Sequence, residues 1–269
     1  MATGGATGRG ELEGKVALVT GAGSGIGRAT ATLFAEHGAA VGVLSRTEAE
    51  VRDAVDEIQG KGGRALPLLA DVSDSAAMKA AVDRLAGEYG RLDIVFANAG
   101  INGVWAPIDE LEPQEWDRTI AINLRGTYLT FHHAVPHLRR AGGGSMLVTA
   151  SINGTRTFTT AGATAYSATK AAQVAMARML ALELARDKIR VNAICPGWIE
   201  TEIDDNTQPR NTEKAEFPAE FPVGEVPLTG GKPGDSFDVA ELALFLAGDR
   251  ARHITGTPVW IDGGESQVV

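Results

Sequence analysis

Seven short runs in this chain are apolar almost from end to end, and they alternate with longer stretches of helical period. The runs are residues 15–21 (KVALVTG), 39–45 (AAVGVLS), 64–72 (RALPLLADV), 92–100 (LDIVFANAG), 145–151 (SMLVTAS), 189–195 (IRVNAIC) and 258–262 (PVWID). A strand with one face in water alternates apolar and polar residues; these do not, so both of their faces must be covered. The stretches at 27–38, 47–62, 74–88, 113–139, 165–186 and 239–248 read as the helices that supply the cover. The rhythm predicts an α/β fold: one doubly wound parallel sheet of about seven strands with helices on both faces. At 269 residues, with no internal repeat, the chain has room for one such domain. That domain is expected over residues 14–269, after a flexible glycine-rich arm at 1–13.

One segment breaks the rhythm. Residues 196–235 are rich in proline and acids and hold no sustained period, and a connection that long in a compact domain is usually functional. It predicts a substrate lid at about 198–236.

Charge and composition exclude several function classes. The formal net charge of -9 disfavours nonspecific binding to nucleic acid or to an anionic membrane surface. No apolar run reaches the roughly 18 residues a membrane span needs, and the opening residues show neither a secretory nor a transit pattern. The single cysteine, Cys195, cannot form an internal disulfide. A reducing, cytoplasmic location is the expectation.

The first strand runs into a glycine loop, TGAGSGIG (20–27), which opens the first helix. In a doubly wound, Rossmann-like sheet that turn puts backbone N–H groups and a helix N-terminus where a pyrophosphate can sit. Gly21 permits the sharp exit from the strand, Gly25 allows close approach to phosphate, and Gly27 allows the helix to pack on the sheet. Ser24 and Ile26 complete the loop. The second strand ends on Ser45 and Arg46, where an acid would accept from an adenosine ribose hydroxyl. A guanidinium there pairs with phosphate, so the expected cofactor is NADP(H) in preference to NAD(H). The competing reading of Arg46 is an ordinary exposed arginine at a helix start.

Within AYSATK (165–170), Tyr166 precedes Lys170 by four residues, one helical turn, so the two share a face. Either they are two solvated polar groups, or the ammonium acidifies the phenol. A free tyrosine titrates near ~10, and a cation within ~4–6 Å lowers that by one to three pH units. The second reading makes Tyr166 an acid–base group at neutral pH.

With the glycine loop and the Tyr166–Lys170 spacing together, the chain resembles the short-chain dehydrogenase/reductase family over about residues 14–264. Further motifs carry the likeness: ANAG (97–100) with Asn98, Ala99 and Gly100, AINLRGTY (121–128), ASINGT (150–155), PGWIET (196–201) and ITGTPVWIDGG (254–264). The resemblance implies a catalytic set of Asn123, Ser151, Tyr166 and Lys170. It also implies that Asp71 and Val72 meet the adenine, and that Pro196, Gly197, Ile199 and Thr201 meet the nicotinamide. The implied reaction interconverts a ketone and a secondary alcohol of a small-molecule substrate. The alternatives are an NAD-linked alcohol or sugar dehydrogenase on the same scaffold, and a protein that senses nucleotide without turnover.

Two departures from the family pattern stand out. Ala97 replaces the usual first asparagine of N-N-A-G, and Ser151 lies 15 residues before Tyr166 where the family usually has 13. The intact S-x-x-G places the two extra residues after Gly154, in the loop on the substrate side. The acidic lid offers no evident basic patch, which disfavours carrier-bound acyl substrates. The family often assembles through its two long helices, so a homotetramer or homodimer is expected. His133 and His137 are too few for a metal site; Cys195 reads as a core residue. Met179, Leu180, Leu182 and Leu184 read as core or subunit contacts, and Trp105 as pocket lining or packing.

Overall fold

Each apolar run becomes a strand parallel to its neighbours. In the computed structural model of the protein, which describes residues 10–218 and 226–268, β1 (Val16–Thr20), β2 (Ala40–Ser45) and β3 (Arg64–Leu69) step outward to one side of the sheet. β4 (Ile94–Ala97), β6 (Gly144–Thr149), β7 (Ile189–Pro196) and β9 (Pro258–Ile261) step outward to the other, giving the order β3-β2-β1-β4-β6-β7-β9. β5 (Gly103–Trp105) and β8 (Thr207–Pro209) form a separate two-stranded sheet.

Alternate residues of the central strands feed two cores. Ala17 and Val19 pack under α1 (Gly25–Glu36), α2 (Glu48–Gly60) and α7 (Ser236–Ala247). Val16 and Leu18 pack under α3 (Ser75–Tyr89), α5 (Gly126–Ala141) and α6 (Thr164–Glu183). The hydrophobic term therefore acts on both sides of every central strand, which is why no strand shows a polar alternation. Strand order reverses between β1 and β4, and a crevice opens there at the carboxyl ends of the strands.

Three boundaries differ from the sequence reading. The stretch expected as one helix at 113–139 is α4 (Pro113–Thr119), a π turn (Ile120–Arg125) and then α5. The widened turn follows from side chains that take over a backbone acceptor: Thr127 Oγ1 donates to the Asn123 carbonyl at 2.7 Å, and Gln173 Nε2 does so at 2.8 Å. The strands are also shorter than their apolar runs, since residues 98–100 and 70–72 have left the sheet to line the crevice. Finally, residues 10–13 of the expected arm at 1–13 are part of the folded domain. Leu12 is in the core, its N–H donates to the His37 carbonyl at 2.9 Å, and Glu11 pairs with Arg250. Residues 1–9 lie outside the described residues.

Candidate active site

The crevice is a cleft of about 610 Å³ that starts at the glycine loop and ends against α6. Gly21, Ser24, Gly25 and Ile26 form its floor where α1 begins. Ser24 is the extended N-cap of α1 with no side-chain cap hydrogen bond, and the first turn carries no acid, which suits an anion site at this helix start. Gly25 has φ +47, and Gly27 is packed so closely that a Cβ would stand 2.1 Å from the Gly21 carbonyl oxygen. Those two positions need glycine for different reasons, one conformational and one steric.

At one end lie Ser45, Arg46, Asp71 and Val72. Asp71 accepts from the side-chain hydroxyl (2.6 Å) and backbone N–H (2.8 Å) of Ser73, which hold its carboxyl below the usual carboxylate range. A residue missed in the sequence joins them. Glu50 lines the cleft and accepts from Ser45 Oγ at 3.3 Å, and a Cβ at Gly23 would lie 2.6 Å from its Oε2. Thr47 is the N-cap of α2 and Glu50 stands three residues on, the spacing of a capping box, so the backward reach of Glu50 had a signal.

The middle of the cleft is stitched across strands. Thr20 Oγ1 accepts from the N–H groups of Asn98 (3.0 Å) and Ala99 (3.1 Å), and Thr149 Oγ1 donates to Asn98 Oδ1 at 2.9 Å. These bonds fix the Asn98–Gly100 turn between β1 and β6.

The far end brings the catalytic candidates together. Tyr166 and Lys170 lie on the buried face of α6, with Lys170 Nζ 5.3 Å from the centre of the Tyr166 ring. Lys170 is 3% exposed and donates to the Thr149 carbonyl at 2.7 Å. Burial pushes its pKa from 10.5 down to about 8, so it remains mostly charged at pH 7. Ser151, just past β6, accepts from the Asn153 N–H at 3.1 Å, which leaves its own proton to donate. Asn123 is fully buried in the π turn. Its side chain pairs with both backbone groups of Ile101 (Oδ1 accepting at 2.8 Å, Nδ2 donating at 2.9 Å), and Nδ2 also donates to Thr169 Oγ1 at 3.2 Å. It ties the segment after β4 to α6, as a short strand pairing would.

Pro196, Gly197, Ile199 and Thr201 close the cleft opposite β4. The Gly197 N–H donates to the Ile261 carbonyl at 3.0 Å, and the Trp198 N–H donates to Glu265 Oε2 at 2.7 Å. Burial raises the Glu265 carboxyl above its usual range. Thr201 and Glu202 lie over the glycine loop: a Cβ at Gly25 would be 3.2 Å from Thr201 Cβ and 3.4 Å from Glu202 Oε2.

The lid segment is less irregular than its sequence suggests. β8 pairs with β5, and Asn102 Nδ2 donates to Thr207 Oγ1 at 2.7 Å. Arg210 grips Glu115 through both terminal nitrogens (2.9 and 2.8 Å), while Lys214 (2.7 Å) and Asn211 (2.6 Å) bind Glu110. Arg210 holds the Glu115 carboxyl below its usual range, so the latch persists to acidic pH. Arg210→Gln should therefore speed proteolytic cleavage within residues 200–218 several-fold in limited digestion, leaving the sheet resistant. Cleavage at the wild-type rate would show that the latch does not hold the lid. Residues 219–225 of the expected lid lie outside the described residues.

Other sequence readings fall as follows. Trp105 belongs to β5, and its indole N–H donates to the Asn102 carbonyl at 3.3 Å. Cys195 is buried and its thiol pKa is pushed up to about 11 by that burial, an inert core group. His133 bonds Ser75 and His137 bonds Asp83; among the described residues no group of three metal-ligating side chains gathers. Leu184 is core and Leu180 partly so, but Met179 (71%) and Leu182 (82%) are exposed. No helix among the described residues is long and apolar enough to cross a membrane.

The chain is similar to known proteins over nearly its whole length. A family profile described as enoyl-(acyl carrier protein) reductase matches residues 21–266. A 3-ketoacyl-ACP reductase from Sinorhizobium meliloti 1021 is 60% identical, with a TM-score of 0.90 over 94% of this chain and 100% of that one. A 3-ketoacyl-(acyl-carrier-protein) reductase from Brucella melitensis, solved in complex with NADH, is 36% identical, with a TM-score of 0.83 over 95% of this chain and 99% of that one. The cis-4-hydroxycyclohexanecarboxylate dehydrogenase of Sinomonas cyclohexanicum is 39% identical over 94% of this chain and 97% of its own. The chain belongs to the short-chain dehydrogenase/reductase family of NAD(P)-dependent oxidoreductases.

Proposed function

We propose that the protein interconverts a ketone and a secondary alcohol, with Tyr166 as the acid–base group and NADP(H) as the favoured cofactor. The observation that carries this reading is the convergence of Tyr166, Lys170 and Ser151 at one end of the cleft whose other end is the glycine loop. When bound, the nicotinamide supplies or accepts the hydride. In reduction Tyr166 gives its hydroxyl proton to the substrate oxygen. Ser151, already an acceptor for Asn153, turns its proton to the same oxygen and stabilises the charge that develops there. The Lys170 ammonium, 5.3 Å from the Tyr166 ring centre, favours the resulting phenolate and would bind the nicotinamide ribose. Thr201 is assigned the carboxamide. Alcohol oxidation runs the same path backwards.

The cofactor preference rests on Arg46, exposed at the ribose end of the cleft and close enough to Asp71 to act on its charge. Glu50 beside Ser45 favours the second reading, NAD(H), because its carboxylate can accept from a ribose hydroxyl and repel a 2′-phosphate. Arg46→Asp decides between them. If Arg46 binds the 2′-phosphate, the NADP-to-NAD ratio of kcat/KM should fall about 10²-fold. An unchanged ratio would assign the choice to Glu50.

For the substrate, the lid presents Glu200, Glu202, Asp205, Glu213 and Glu216 against three cations, of which Arg210 and Lys214 are engaged by Glu115 and Glu110 and Lys232 is exposed. That charge favours a free small ketone or cyclic alcohol over a carrier-bound acyl chain. The exposed Met179 and Leu182 on α6 support assembly through the long helices, and the lone buried thiol suits the cytoplasm. A panel of free ketones and a carrier-bound 3-oxoacyl thioester, followed at the nicotinamide absorbance with both cofactors, tests the reading. Turnover of the free ketones is expected; turnover of the carrier-bound substrate alone would refute this choice of substrate.

A further inference from the structure

Gln173 stands one turn beyond Lys170 on the buried face of α6 and is 1% exposed. Its Nε2 donates to the Asn123 carbonyl at 2.8 Å and to Thr127 Oγ1 at 2.9 Å. Thr127 Oγ1 donates to that same carbonyl at 2.7 Å, so two side chains serve both of its lone pairs. Gln173 Oε1, in contrast, is a buried acceptor with no hydrogen-bond partner. A full-length polar side chain held in the core with half its amide unsatisfied is retained at a cost, and the half that is used points at the π turn.

The contact continues beyond Asn123. Asn123 Nδ2 donates to Thr169 Oγ1 at 3.2 Å, and Thr169 Oγ1 donates to the Tyr166 carbonyl at 2.7 Å. Asn123 also clamps both backbone groups of Ile101, and a Cβ added at Gly100 would lie 3.3 Å from Asn123 Oδ1 and 3.7 Å from Lys170 Nζ. A continuous chain of hydrogen bonds therefore runs from Gln173 through Asn123 and Thr169 back to the residue that carries the phenol. We propose that Gln173 is a positioning residue for proton transfer: its amide N–H holds the widened turn at Asn123, and through it the register of Tyr166 and Lys170 in the cleft.

The inference rests on the reading that Tyr166 and Lys170 carry the proton. Gln173→Met keeps the volume and removes the donor. It should lower kcat about tenfold while leaving the dissociation constant of the reduced cofactor, measured by fluorescence, within about twofold. Gln173→Glu keeps the shape but donates only when protonated, and burial raises its carboxyl pKa. Its kcat relative to wild type should therefore climb as pH falls from about 8 to about 6, a rescue that a packing role would not produce.

The titratable groups around this position are Lys170 and Tyr166 on α6 and Cys195 on β7, which faces Lys170. From the π turn, Arg125 points away, to the Ser73 carbonyl. Both variants are compared with wild type at every pH, so the shared titrations cancel in the ratio. Should Gln173→Met fail to fold, the pH dependence of the Gln173→Glu ratio decides alone. Wild-type kcat in a folded Gln173→Met, or a ratio for Gln173→Glu that does not change with pH, would overturn the proposal. Full activity of Tyr166→Phe would overturn the underlying reading instead, and the proposal with it.

Discussion

Tyr166→Phe is expected to lower kcat by at least about 10³-fold while leaving the cofactor dissociation constant within about twofold. The substitution removes one oxygen and keeps the ring, whose packing on the buried face of α6 beside Lys170 is unchanged. What is lost is the proton donor to the substrate oxygen, and general acid–base groups contribute about 10²–10⁴-fold. Ser151 remains in the variant, so the residual rate should exceed that of solution chemistry. Steady-state kinetics with cofactor titration by fluorescence measures both quantities. A variant within tenfold of wild type would move the acid–base role to another residue.

Lys170→Met is expected to act in two directions at once. Turnover should fall at least about 10²-fold, because the buried ammonium beside the phenol is gone. Stability at pH 7 should rise. The lysine titrates near 10.5 when unfolded and near about 8 when folded, so below pH 8 the folded state carries a charge that burial disfavours. The difference corresponds to about 3 kcal/mol, and losing the hydrogen bond to Thr149 returns about 1 kcal/mol of it, for a net gain on the order of 2 kcal/mol. The penalty is constant below pH 8, shrinks between 8 and 10.5 as the folded group gives up its proton first, and vanishes above 10.5. The stability gain of the variant should therefore be present at pH 7 and absent near pH 10.5 in denaturant titrations. A variant that is less stable at pH 7 would contradict the burial argument.

The central strands were legible because each lies between two helical layers and must be apolar throughout, whereas the edge strand β3 leaves Arg64, Pro67 and Leu69 exposed. Residues at strand ends and tight turns were legible for a related reason. Gly25 and Gly27 are dictated by backbone geometry, and Tyr166 and Lys170 by helical spacing. The rest depends on contacts between segments distant in the chain. The break between α4 and α5 involves Gln173, fifty positions beyond Asn123, as well as the nearby Thr127, so the local period of 113–139 carries no sign of the distant partner. The pairing of β5 with β8 joins residues about a hundred apart, and each strand has only three residues, too few for a periodic signal. Leu12 reads as part of a flexible glycine-rich arm because one apolar side chain in such a stretch is no pattern, yet it fills a place in the same core as α1. Glu50 lies outside the strand end that faces the ribose, and its carboxylate reaches back there from the first turn of α2.

The acidity of Tyr166 in the complex with oxidised cofactor can be measured directly. The chain has three tyrosines, Tyr89, Tyr128 and Tyr166, so ring-labelled protein gives three carbon resonances, and Tyr166→Phe identifies one of them. The resonance of Tyr166 is expected to titrate at least one pH unit below the ~10 of an ordinary phenol, with Tyr89, partly buried, titrating above it. If the Tyr166 resonance titrates at or above the ordinary value with cofactor bound, the ammonium is not acidifying the phenol and the proposed chemistry fails.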